Sequence, residues 1–250
     1  MRRWSFIVSA ILFSVISSAP CRAQEDARRF ISAMEAYKAQ DYTTAISNLE
    51  AIAQKGTHNG ALYYNLGNAH LKNNDLGRAI LWYERALELL PNDPDLRFNY
   101  DYARSLTRDE AEEEPISLAR IIFFWKYQLN SRTIIYLALG FNILFWSLLL
   151  ARRITRRRGF QYAAAGALIP ALIFIVTAAY NYYESSHRYH GIVLAEKVSI
   201  RSGLEKTSTE LFVLHAGAKV KVVRQLKDHI QIRFSKEKIG WAQKSAVGLI

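Results

Sequence analysis

Apolar positions follow three different rhythms along the chain. Between 24 and 108 they recur at three- and four-residue spacing, the stripe of amphipathic helices. Three further stretches, 4–21, 133–151 and 159–183, carry no charge at all. From 187 onward, short β-branched segments alternate with turn residues: 191–194, 198–201, 210–214, 219–225, 230–234, 240–242 and 247–250. Val220 and Val222, and then Ile230, Ile232 and Phe234, show the two-residue period of half-buried strands. The pattern predicts a helical domain, apolar helices and a small β domain.

The helical part repeats. Lys38, Asp41 and Ala45 recur as Lys72, Asp75 and Ala79, each 34 residues on. Two helices per 34 residues is the period of tetratricopeptide repeats (TPR). The second unit resembles their consensus closely. Tyr63, Leu66 and Gly67 lie on its first helix, with His70 where an aromatic usually stands. Ala79, Tyr83 and Ala86 lie on its second, and Pro91 ends it. Small Gly67 and Ala79 suit a close helix crossing, Tyr63 and Tyr83 fill the wider gaps, and Pro91 stops the helix. The first unit keeps Ala33, Ala45, Leu49 and Ile52. A third helix over 95–106, with Leu96, Tyr100, Ala103 and Leu106 inward, is expected to cap the stack. The resemblance implies a concave groove that binds a partner's peptide or helix, with Tyr37, Asn65, Asn68, Lys72 and Asn99 as its candidate contacts.

The apolar runs argue against a purely soluble protein. Residues 1–23 read as an export signal: Arg2 and Arg3, a thirteen-residue apolar stretch over 4–16, and small residues before Gln24. Cleavage after Ala23, retention as an anchor, and lipidation at Cys21 all place the following domain outside the cytoplasm. The second run, over 133–150, holds eleven Leu, Ile or Phe residues. At about −0.3 to −0.6 kcal/mol each they favour insertion by about 3 to 7 kcal/mol before the cost of Asn142. Residues 162–182 form a second candidate span, with Pro170 inside it and Tyr180, Tyr182 and Tyr183 at its interfacial end.

Charge orients the pair. Residues 24–115 hold ten basic and sixteen acidic residues, whereas 116–250 hold twenty and six. Arg152, Arg153, Arg156, Arg157 and Arg158 cluster between the spans, so the positive-inside rule makes that link cytoplasmic. Both flanking domains then share the outer side, in agreement with the exported N-terminus. The net charge of +11 is a topology signal plus a basic C-terminal domain, not a nucleic-acid footprint. The expected order is signal (1–23), TPR domain (24–108), acidic linker and interfacial helix (109–131), first span (132–151), basic loop (152–158), second span (159–183) and β domain (187–250). The linker stretch 117–128 reads equally as an interfacial helix or as a plain collar before the span.

The β domain resembles bacterial SH3 (SH3b) domains. Val198-Ser-Ile-Arg201-Ser-Gly203 matches their opening strand and turn, Leu214-His-Ala-Gly217-Ala-Lys-Val220 the turn before the central strand, and Gly240-Trp241 the late Gly-Trp pair. Arg201, Gly217, Gly240 and Trp241 are therefore expected to shape a small barrel. His229 stands where the family often has tryptophan, which weakens the expectation of an aromatic ligand platform. The domain carries twelve basic and five acidic residues over 187–250, a charge that suits anionic lipid or wall polymers.

Catalytic signatures are missing from the sequence. It has no phosphate-binding glycine loop, no Gly-x-Ser-x-Gly elbow and no His-Glu-x-x-His helix. Cys21 is the only cysteine, which excludes an intrachain disulfide. The expectation is a protein without enzyme activity, metal or cofactor. The order of signal, TPR, membrane hairpin and SH3b domain resembles the BatE-type component of the Bacteroides aerotolerance (Bat) operon proteins. That resemblance implies an inner-membrane scaffold in a complex with membrane-anchored von Willebrand factor A domain proteins and a MoxR-type ATPase, with a link to oxidative or envelope stress. A cell-wall sensor that binds peptidoglycan through the SH3-like domain is the alternative reading.

Overall fold

A computed structural model describes residues 24–109, 123–187, 190–205 and 207–250. The export segment with Cys21, most of the acidic run and the first part of the candidate interfacial helix lie outside the described residues.

Five helices build the repeat: α1 (24–38), α2 (Tyr42–Ala53), α3 (Gly60–Lys72), α4 (Leu76–Leu89) and α5 (Pro94–Ser105). The 34-residue period has a visible local cause. Asp41 and Asp75 both cap the second helix of their unit, accepting from the backbone N–H of Thr44 and Arg78. Each is preceded by a residue in the left-handed region, Gln40 at φ 63° and Asn74 at φ 59°. The repeated aspartate is therefore a turn-and-cap device. Asp93 caps α5 in the same way, with Pro94 in the first turn.

The repeat core contains Ala33, Leu49, Ile52, Leu62, Tyr63, Leu66, Ala69, Ala79, Tyr83, Ala86, Leu96 and Ala103. Gly67 lies directly under the Tyr83 ring, and a methyl there would reach 3.0 Å from Cγ and closer to the ring edge. The third helix of the pattern, α5, buries Leu96 and Ala103 as expected but differs at its end. Leu106, expected to face inward, is 48% exposed and lies just beyond α5. Phe98, Tyr102 and Leu106 recur every fourth residue, so they share the outer face of that helix.

A short helix, α6 (Phe124–Gln128), leads into α7 (Ser131–Thr155) and α8 (Gly159–His187). The two long helices are 25 and 29 residues long, or about 37 and 43 Å at 1.5 Å per residue, and longer than a ~30 Å hydrocarbon core. Their most apolar stretches have mean hydropathies of 2.1 and 2.0, yet only 11% and 22% of those stretches are buried. Within this chain they are therefore mostly exposed rather than buried as core helices. They pack on each other through Ile134, Ala138, Ala164, Ala167 and Ala171, with Phe141 and Phe174 stacked 5.9 Å apart. The buried alanine stripe runs through Ala164 and leaves Ala163 on the outside. Arg152 and Arg153 sit in the last turn of α7, so the basic segment is half helix, and Arg156 ends it in the left-handed region at φ 55°.

Seven strands follow: β1 (His190–Val193), β2 (Lys197–Arg201), β3 (Glu210–His215), β4 (Lys219–Gln225), β5 (His229–Arg233), β6 (Ile239–Gln243) and β7 (Val247–Leu249). They form one antiparallel sheet in the order β3-β2-β6-β5-β4-β1-β7. Val193, Val198, Ile200, Leu214, Val220, Ile230, Ile232, Ala242 and Val247 meet in one cluster, so the sheet curls around a single core. The expected barrel is not closed, because its end strands β3 and β7 do not pair. Leu81 of α4 sits against Gly248, and the Arg85 guanidinium donates to the Leu249 carbonyl at 2.7 Å.

The sheet is thereby docked on the repeat. Ile192 belongs to the repeat's core, with Leu194 and Ile250 packed against it. At Gly77 helix and strand backbones approach closely: a methyl there would stand 2.6 Å from the Leu194 carbonyl oxygen and 2.7 Å from its Cα. Gly217, at φ 89°, turns the chain beside Ile80 and Thr107. Gly77→Ala is expected to push β1 off α4 at a cost of about 1–3 kcal/mol. A lower melting temperature and faster proteolysis of residues 190–250 would show it. Gly140→Ala, whose added methyl meets nothing within 4 Å, serves as the control that leaves both unchanged.

Candidate functional site

The first-helix row of the repeat, α1, α3 and α5, carries a linked polar and aromatic cluster. Asn99 on α5 donates from Nδ2 to the Tyr64 hydroxyl and to Oδ1 of Asn68, both at 2.9 Å. The Tyr83 hydroxyl donates to the same Asn68 oxygen at 2.7 Å. Asn68 thus has its carbonyl oxygen engaged twice, and its Nδ2 is the chemistry left for a ligand. Tyr37 joins from α1, its ring 5.4 Å from Tyr42. Burial, with Tyr42 and Tyr64 close by, raises the Tyr37 phenol above its ordinary value, so it stays a neutral hydrogen-bonding group. Tyr83 is raised further for the same reason, burial first.

Of the five residues singled out from the repeat pattern, the structure places Asn68 and Asn99 in direct contact and Tyr37 beside them. Asn65 lies one turn before Asn68 and donates back to the Ala61 carbonyl of its own helix at 2.8 Å. Lys72 is exposed, one turn beyond Asn68. The surface so formed offers amides, phenols and one ammonium, the groups that hold a peptide backbone and an acidic side chain. Tyr64, missed from the sequence, is the centre of the cluster. Its place four residues before Asn68 on α3 was the available signal.

His70 is buried between the two repeat units. Its Nε2 lies 3.5 Å from Glu50 Oε1 on α2, and its Nδ1 lies 3.5 Å from Asp75 Oδ2. These contacts are long, and neither ring nitrogen completes a hydrogen bond. No group of three or more His, Cys, Asp or Glu side chains among the described residues could hold a metal ion.

A second candidate lies on the sheet. A cleft of about 280 Å³ is lined by Lys197 and Arg201 of β2, His229 of β5, Trp241 of β6 and the β2–β3 loop with Glu205. Arg201 and Trp241 are directly opposed across β2 and β6. Arg201 also donates to the Ser208 carbonyl at 2.8 Å, which fastens the loop that forms one wall. Gly240 brings β6 close to β2: a methyl there would be 2.6 Å from Ile200 Cγ2 and 2.9 Å from the Arg201 carbonyl oxygen. Trp241 is half-buried, with His229 lining the same cleft. An indole beside two basic side chains suits a planar or carboxylate-bearing ligand.

The contact between repeat and sheet was not foreseen from the sequence. Glu84 of α4 receives Lys219 Nζ at 2.8 and 2.9 Å and also the Tyr100 hydroxyl. Burial and the Glu84 charge push the Tyr100 phenol far up. Asp109 accepts from the backbone N–H of His215 and lies 3.1 Å from its ring Nδ1. The available sign was α4 itself, with Ile80 and Leu81 apolar outside the Ala79, Tyr83, Ala86 stripe.

Residues 32–94 match the family model described as tetratricopeptide repeat. The match takes in the second half of α1 and all of α2, α3 and α4, and it supports TPR repeats over those residues. No curated protein matches the chain.

The acid limb of stability reports on the His70 setting. Burial alone would raise the Asp75 carboxyl, but the nearby His70 ring, the hydrogen bonds from Arg78 and the Arg78 charge outweigh it and hold the group at about 2, against an ordinary 3.8. A depressed folded-state value adds stability above the unfolded value, and that stability is lost as pH falls from about 4 to about 2. The contribution is about 2 kcal/mol. Asp75→Asn is expected to remove it while keeping an N-cap. Its melting temperature should be lower than wild type at pH 7, with the gap closing as pH falls to about 2.

Proposed function

We propose that this protein is a membrane-anchored, non-enzymatic adaptor that assembles protein partners through its TPR groove. The coarse part of this reading follows from the repeats, whose common role is protein–protein interaction. One observation carries the rest. The repeat and the β-sheet domain pack against each other, although two long, exposed, apolar helices separate them in sequence. Domains in contact must lie on the same side of a bilayer, and two crossings meet that requirement where one crossing would not. Arg152, Arg153, Arg156, Arg157 and Arg158 at the hairpin tip support a cytoplasmic tip by the positive-inside rule, and the resemblance to Bat-type proteins supports a bacterial inner membrane with both domains in the periplasm.

The order of parts supports a finer assignment. An export segment, TPR repeats, a two-helix hairpin and a β domain that resembles SH3b domains suit a Bat-type complex. The partners are then membrane-anchored von Willebrand factor A domain proteins, with a role in oxidative or envelope stress tolerance. Docking of the sheet on α4 leaves the α1, α3, α5 face for such a partner. Under this assignment the adaptor itself performs no chemistry.

Purification of the full chain at native abundance in mild detergent tests the adaptor. Von Willebrand factor A domain proteins should come down with it, and the pair Asn68→Arg and Asn99→Arg should reduce their recovery at least tenfold. Recovery of the chain alone, or equal recovery by the variant, counts against the reading. Protease added to intact spheroplasts should digest both end domains. Their survival, with digestion only after lysis, would overturn the topology.

The cleft beneath Trp241 favours a second reading, in which the β domain binds a peptidoglycan peptide. The full chain is the proper probe, because Ile192 and β7 take part of their packing from α4. Binding to purified peptidoglycan at moderate salt should fall at least tenfold in Trp241→Ala. Binding that disappears on a modest addition of salt and ignores Trp241 would be charge attraction alone.

A further inference from the structure

We infer that the junction of repeat, hairpin and sheet is a binding site for the headgroup of an anionic phospholipid. The proposal rests on the membrane reading above. A cavity of about 760 Å³ opens where the three parts meet. This lies within the roughly 300–1,000 Å³ range of small-ligand sites. Lys126 and Tyr127 of α6 and Arg132 in the first turn of α7 contribute from the membrane side, with Asn181 near the end of α8. His58 comes from the turn before α3, and His190 from the start of β1.

Place, charge and polarity agree on the ligand. Arg132 and Asn181 stand at the outer ends of the two apolar helices, the level of lipid headgroups in a two-pass arrangement. Among the lining side chains Lys126 and Arg132 are cationic, and Glu88 is the one carboxylate. Lys126 is held between aromatic rings, its Nζ 4.5 Å from the Tyr180 centroid and 4.9 Å from that of Tyr127. The first turns of α3 and α7 also line the cavity and add the partial positive charge of two helix ends. A free anion would use only this basic part. Leu87, Leu89, Leu90, Pro91 and Leu129 add an apolar part of the wall that suits a glycerol backbone and the upper acyl chains.

The walls are tied to each other. Asn92 of the repeat donates to the Gln128 carbonyl at 2.7 Å, and Asn130 donates back to the Leu89 carbonyl at 3.4 Å. Trp125 donates from Nε1 to Thr177 on α8 at 3.3 Å. The site therefore joins the repeat to the membrane collar, so a bound lipid would bridge both.

The test uses the full chain in a neutral detergent, with bound lipid counted by native mass spectrometry. Phosphatidylglycerol, phosphatidylcholine and inorganic phosphate are offered separately and in competition. Phosphatidylglycerol should be retained at least fivefold over phosphatidylcholine, and the pair Lys126→Gln and Arg132→Gln should bring the ratio to about one. The pair Arg157→Gln and Arg158→Gln, at the other end of the hairpin, should leave it unchanged. Melting temperatures of all variants identify any that lose retention through misfolding; in that case Lys126→Gln alone is the deciding variant. Equal retention of the two lipids, no effect of the Lys126 and Arg132 changes in folded protein, or displacement of the lipid by millimolar phosphate would overturn the site. Failure of the membrane reading looks different: the chain would remain soluble without detergent after an alkaline wash of the cells' membranes.

Discussion

The packing of β1 and β7 against α4 is the contact on which the rest of this molecule depends. It is made by an unusual second face of a repeat helix. Ala79, Tyr83 and Ala86 of α4 serve the repeat, while Gly77, Ile80, Leu81, Glu84 and Arg85 serve the sheet. Here the Gly77 methylene lies against the Leu194 backbone, and Ile192 completes the repeat's core. The interface lies at the open edge of the sheet: β7 meets α4 and does not pair with β3.

Polar groups make this contact selective. Glu84 bridges three elements, since it takes hydrogen bonds from Tyr100 of α5 and Lys219 of β4. It is partly buried, so loss of Lys219 leaves its charge with the Tyr100 hydroxyl as the one remaining of these two partners. Asp109 adds a clamp on the β3–β4 turn through His215. Hydrophobic burial supplies the bulk of such an interface, and these pairs fix its register.

The same contact organises function. A sheet held on α4 leaves the opposite helices of the repeat open, where Tyr64, Asn68 and Asn99 form a cross-helix cluster. It also brings the two ends of the hairpin beneath the junction where Lys126 and Arg132 meet the repeat. A partner in the groove, a ligand beneath Trp241 and a lipid at the junction would then each act on one connected assembly of three parts.

Much was legible from local pattern. The 34-residue spacing of Asp41 and Asp75 marked the repeat because an N-cap and its left-handed preceding turn are decided by the nearest few residues. The absence of charge over 133–151 and 159–183 marked two long apolar helices for a similar reason, since each satisfies its own backbone. Period-two segments likewise announced strands. What the sequence could not determine was how these parts meet. Leu106 looked inward by spacing but lies beyond the end of α5 on its exposed side. Neither the open sheet nor the two-faced α4 has a local signature, because Gly77 and Leu194 are over a hundred residues apart and the meaning of either appears only when both are in place. Periodicity chose the elements; long-range burial chose their partners.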